Sequence, residues 1–133
     1  MHKSITLLTL LAVTAGCSFI ARGEDQYRSD TRNVLEQRNA DVRSCYDNAL
    51  AQNPAQSGTV AVNFTVEKKT GKLTNVAVDP DQTTAPETLS NCVVNAIDGL
   101  VLTPEDRRDG LAEFRWVFRG PDGGAGKPAS EDI

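Results

Sequence analysis

Gly58-Thr59-Val60-Ala61-Val62-Asn63-Phe64-Thr65-Val66 decides the fold. Val60, Val62, Phe64 and Val66 alternate with Thr59, Ala61, Asn63 and Thr65, the two-residue period of a strand with one face against a core. Lys68-Lys69-Thr70-Gly71-Lys72 follows and reads as a hairpin turn in which Gly71 supplies a positive φ. A second strand is predicted over Leu73 to Val78, with Thr74, Val76 and Val78 on one face and Asp79-Pro80-Asp81 as its terminating turn. A third is predicted over Leu111 to Arg119. There Ala112, Phe114, Trp116 and Phe118 form one face, opposite Leu111, Glu113, Arg115, Val117 and Arg119.

Helical periods flank these strands. From Asp25 to Gln52 the pattern predicts one helix, because Val34, Leu35, Val42, Cys45, Tyr46, Ala49 and Leu50 fall largely on one face. Its first turns, Tyr27 to Thr31, are polar and expected to fray, and Asn53-Pro54 ends it. A second helix is predicted from Thr84, with Thr84 and Glu87 spaced as a capping box and Pro86 in the first turn. Leu89, Cys92, Val93, Ala96, Ile97 and Leu100 keep its period, and Gly99 suits a left-handed C-terminal cap. Glu105 to Asp109 reads as a solvated loop whose charges compensate one another. The expected class is α+β, order α-β-β-α-β. Two helices cover one face of a three-stranded antiparallel sheet, with the first strand in the middle of a split βαβ unit.

The first residues differ in kind. Met1-His2-Lys3 is a short positive end, Ile5 to Val13 is almost continuously apolar, and Thr14-Ala15-Gly16 leads into Cys17. A membrane span needs about 20 apolar residues, so this reads as a secretory leader. The Ala-Gly-Cys ending resembles the lipobox of bacterial lipoproteins, with Thr14 where leucine is usual. The resemblance implies lipidation of Cys17, and several acyl chains on one residue hold a protein at a bilayer. Ser18 follows instead of the aspartate associated with inner-membrane retention, which implies the outer membrane, facing the periplasm. A secreted protein cleaved near Ala15 is the alternative. The expected organisation is a signal peptide over 1–16, a lipidated tether over 17–24, a domain over 25–119 and a disordered tail over 120–133, whose composition lacks apolar surface.

Three cysteines are odd for an exported chain, but lipidation of Cys17 leaves the pair Cys45 and Cys92. An oxidising compartment makes a disulfide the default, and two buried thiols the alternative.

The run Cys45-Tyr46 … Ala49-Leu50 … Asn53-Pro54 … Gly58 to Val66, followed by Gly71 and Asn91-Cys92-Val93, resembles the AgmX/PglI C-terminal domain family. That family is similar to the TonB C-terminal domain. The resemblance covers about Val34 to Phe118. The chain has Leu100-Val101-Leu102-Thr103-Pro104 where members often carry Trp-x-Phe-Pro, and it lacks the Pro-rich spacer of an energy transducer. The resemblance implies binding by strand addition at an exposed sheet edge, with the last strand as the edge.

Composition narrows the chemistry. The formal net charge is −4, with no basic block and few aromatics, so no nucleic-acid partner is expected and the acidic balance favours solubility. His2, the single histidine, lies in the leader, so no mature imidazole is expected for a triad or a zinc site. With Cys45 and Cys92 paired, no thiolate nucleophile remains. Asp79 and Asp81 read as a turn before a calcium site, and Phe114, Trp116 and Phe118 as core before a ligand groove. No catalytic residue, metal or cofactor is expected.

The functional expectation is a non-catalytic module held at the membrane by its lipid and binding an envelope protein. Leu111, Glu113, Arg115, Val117 and Arg119 are the candidate edge residues. Glu113 and Arg115 either tune specificity or block unwanted strand pairing. The alternative is a structural component of an envelope or gliding-motility assembly, touching its neighbours through helix surfaces near Arg43 and Asp47.

Overall fold

The alternating stretch is the centre of the sheet. The computed structural model describes residues 21–120; the leader over 1–16, Cys17 and tail residues 121–133 lie outside the described residues. β1 (Gly58–Val66) is flanked by β2 (Leu73–Val78) and β3 (Gly110–Phe118) in the order β2-β1-β3, both pairings antiparallel. Val60 and Val62 are 0% exposed, and Phe64 and Val66 are buried beside them. Burying one such side chain contributes about 1.5–3 kcal/mol. The predicted inner face of β3 holds throughout, for Ala112, Phe114, Trp116 and Phe118 are all buried. The strand begins at Gly110 and ends at Phe118, so Arg119 lies just beyond it.

The 67–72 turn also matches the prediction, with Gly71 at φ +68°. Glycine is required there twice over, because a Cβ would lie 1.9 Å from the Leu102 carbonyl oxygen. β2 departs from simple alternation. Thr65 pairs with Thr74 but Asn63 with Ala77, so β2 carries one extra residue. Asn75 absorbs it at φ +53°, a left-handed conformation that asparagine tolerates better than most residues. The bulge reverses the faces. Leu73, Val76 and Val78 face the core side, while Thr74 joins Thr65 on the outer face.

The long N-terminal helix is two helices, α1 (Glu24–Glu36) and α2 (Asn39–Gln52). In one straight helix Arg38 would fall on the same stripe as Val34, Leu35 and Val42, and burying an unpaired charge is costly. The chain breaks there instead. Arg38 is exposed and reaches Asp41 at 3.4 Å. The start of α1 does not fray either, because Tyr27 and Thr31 are buried.

α3 (Glu87–Ile97) crosses from β2 to β3. Pro86 is its N-cap and no side chain caps it, so the Thr84–Glu87 capping box does not form. The Thr84 hydroxyl instead accepts the Thr59 N–H at 2.9 Å, and Thr83 takes the Ala61 N–H at 3.0 Å. Both threonines serve the open flank of β1 beyond the end of β2. Gly99 takes the expected left-handed turn, at φ +74°, and Leu100 packs into the core. α2 and α3 lie side by side over the inner face of the sheet, joined by the Cys45–Cys92 disulfide with Cα atoms 5.7 Å apart.

Candidate functional site

Hydrogen-bond parity along β1 assigns the two sides of β3. The Asp79 N–H donates to the Ala61 carbonyl and the Glu67 N–H to the Lys72 carbonyl, both at 2.9 Å. Odd-numbered residues of β1 therefore bond towards β2, and even-numbered ones towards β3, since backbone groups alternate sides in an antiparallel ladder. Val62 stands opposite Phe114 and Phe64 opposite Ala112, so even residues of β3 bond to β1. Leu111, Glu113, Arg115 and Val117 turn their backbone groups the other way. Among the described residues, no backbone bond from another element reaches Leu111, Glu113 or Val117 on that side.

The opposite edge of the sheet is partly occupied. Leu73 donates its N–H to the Leu100 carbonyl at 2.8 Å, and Lys72 forms a bridge with Val101. β3 is thus the longer open edge. Its outer side chains are Leu111, 77% exposed, then partly buried Glu113, Arg115 and Val117. Arg115 Nε donates to Glu113 Oε1 at 2.7 Å along the strand. Beside them a shallow concavity of about 400 Å³ opens on the outer face, lined by Asn63, Thr65, Asn75, Leu111 and Glu113 among others. Of the five edge residues read from the sequence, four fall together on this edge. Arg119 is exposed and past the strand.

No protein family, curated protein or solved structure matches the chain. Among the described residues no group of three His, Cys, Asp or Glu side chains could hold a metal ion, and no helix is long and apolar enough to cross a membrane. Asp79 serves its own turn, accepting the Asp81 N–H at 2.9 Å.

Two features at the ends of β3 escaped the sequence. At its far end the Tyr46 hydroxyl donates to the Gln56 carbonyl and accepts the Gly120 N–H, both at 2.8 Å, while its ring stacks on Phe118 at 4.7 Å. Gly120 is buried by this contact and belongs to the fold, not to the tail assigned over 120–133. At the near end Arg22, placed by sequence in the tether over 17–24, is buried. Its N–H reaches Asp106 Oδ2 at 3.0 Å and its Nε reaches Asp30 Oδ2 at 2.7 Å. Asp106 is accordingly buried, in a loop read from the sequence as solvated, while Glu105, Arg107, Arg108 and Asp109 are exposed.

Burial would raise the Asp106 carboxyl, but the backbone N–H groups of Arg22, Arg108 and Arg107, with the Arg22 guanidinium, more than offset it and hold it below the usual value. A depressed folded value adds stability that is present above the unfolded pKa of about 3.9 and lost as pH falls through the folded one. Acid should therefore loosen the Arg22 segment. Asp106→Asn is expected to cost about 1–3 kcal/mol and to expose the Arg22–Gly23 bond to trypsin. Unchanged resistance to cleavage would remove this latch from the account. Nearby, burial pushes the Tyr27 phenol up to about 12, so it stays neutral at physiological pH.

Proposed function

We propose that the chain is a non-catalytic outer-membrane lipoprotein, anchored through Cys17, whose domain binds a periplasmic protein by strand addition at β3. The observation that carries the binding reading is the edge of β3, where Leu111, Glu113 and Val117 direct backbone donors and acceptors away from β1. An extended peptide laid there gains main-chain hydrogen bonds, and the outer side chains select among peptides. Glu113 and Arg115, paired with each other, set an ion pair beside such a peptide. The sequence resemblance to TonB-like domains supports the same mode, and the apolar leader ending in Ala-Gly-Cys supports the anchor. The disulfide suits an oxidising compartment such as the periplasm.

A photo-crosslinker placed at Val117 in the cell is expected to capture a specific envelope protein. One at Asp47, exposed on α2, is expected to capture none. The reverse result would favour the second reading, a structural component of an envelope or motility assembly that makes contact through helix surfaces.

A further inference from the structure

We infer that the strand added at β3 is β3 of a second copy of this chain, paired antiparallel about a two-fold axis at Phe114. This names the occupant of the edge and rests on the strand-addition reading. The pairing joins two three-stranded sheets into one continuous sheet.

Parity along β3 limits the possible registers. Its odd-numbered residues turn their backbone groups outward, and residues directly opposite in an antiparallel ladder share one bonding type. An odd residue of one copy must therefore face an odd residue of the other. A two-fold interface is also reciprocal, so every contact across it is made twice. With the axis at Phe114, Leu111 faces Val117 of the second copy and Glu113 faces Arg115 of the second copy. Apolar meets apolar, and each charge meets its opposite. Past the strand ends the same register sets the exposed Asp109 opposite the exposed Arg119 of the second copy. Acidic groups thus stand on one side of Phe114, at 109 and 113, and basic groups at matching distances on the other, at 115 and 119.

Sliding one strand by two residues destroys the match. In one direction Glu113 faces Glu113 of the second copy, and Leu111 faces an arginine. In the other, Arg115 faces Arg115 of the second copy, and Glu113 faces a valine. Like charges directly opposite one another are destabilising. One register alone is self-complementary.

The geometry of the single chain is already suited to this pairing. The Glu113–Arg115 ion pair along the strand, at 2.7 Å, is kept, and each member gains a neighbour of opposite sign across the axis. Leu111 and Val117 direct backbone groups outward that meet no other element among the described residues, and each gains main-chain partners from the other. Leu111 is also 77% exposed, the most open large hydrophobic side chain among the described residues. Pairing brings its Cα to about 5.5 Å from that of Val117 of the second copy.

The test uses the full chain recovered from membranes in detergent, with association followed by sedimentation equilibrium. The native chain is expected to dimerise. E113R alone, or R115E alone, gathers four like charges around the axis and should weaken the dimer about tenfold or more. The exchanged variant E113R/R115E restores the match and should associate like the native chain. An equimolar mixture of the two single variants should form a mixed dimer that each forms poorly alone, a gain that misfolding of either cannot produce. A native chain that stays monomeric, or single reversals that leave association unchanged, would overturn the proposal. The photo-crosslinker at Val117 separates this from the underlying reading. A link to Leu111 of a second copy is expected. A link to a different protein overturns the second copy as occupant and leaves strand addition standing, whereas no link at all overturns both.

Discussion

Replacing Cys45 and Cys92 together with alanine is expected to lower the unfolding free energy by about 4 kcal/mol. The bond closes a loop between residues 47 apart, and its removal returns that freedom to the unfolded chain. A small domain commonly has only about 5–15 kcal/mol to lose. Urea unfolding of the double variant, and of the native chain with and without reductant, measures the effect. The variant and the reduced chain should agree, because the cross-link is their common loss. A midpoint unmoved by reductant would mean that packing of α2 and α3 alone sets the stability. The bond also joins the two helices that cover the inner face of the sheet.

Proline substitution in β3 should show a sharp alternation. Ala112→Pro removes an N–H that bonds to β1 and leaves a buried acceptor on Phe64 without its donor. It should cost about 3 kcal/mol or more, counting the lost bond and the ring's clash with the ladder. Val117→Pro removes an N–H that faces away from β1, a position where sheets accept proline, and should leave the domain folded. Thermal unfolding of the two variants measures the contrast. Similar losses would mean that the two sides of β3 are equally committed to the fold, and the edge would then be no site for a partner.

The sheet was legible because its signals are local. Alternation from Val60 to Val66, a turn with Gly71 and the apolar face from Ala112 to Phe118 each act over a few residues. The crossover through α3 then left β1 in the centre. What was hidden depends on distant partners or on competing local choices. Arg22 looks like tether until Asp106, 84 residues away, supplies its acceptor. Thr84 has the spacing of a cap, yet its hydroxyl satisfies Thr59 across the sheet. Asn75 signals tolerance of a left-handed bulge, but nothing nearby requires one. Arg38 breaks a helical stripe that otherwise reads as continuous from Val34 to Ala49.

The edge residues were legible for the same reason as the strand, since Leu111, Glu113, Arg115 and Val117 are simply the outward positions of β3. That their backbone groups also face the open edge follows from register, which one strand's sequence does not contain. The contact of the 67–72 turn with the 105–109 loop was hidden because the two are some 40 residues apart in sequence and are tied by the Lys68 and Lys69 N–H groups to Asp109 and Asp106.

Partner capture from a crosslinker at Glu113, in otherwise native chain and in chain carrying Val117→Pro, tests strand addition most directly. The account predicts that the proline reduces capture about tenfold or more, through loss of a main-chain bond and ring interference, while the unfolding temperature stays close to native. Undiminished capture by the folded Val117→Pro chain would contradict it.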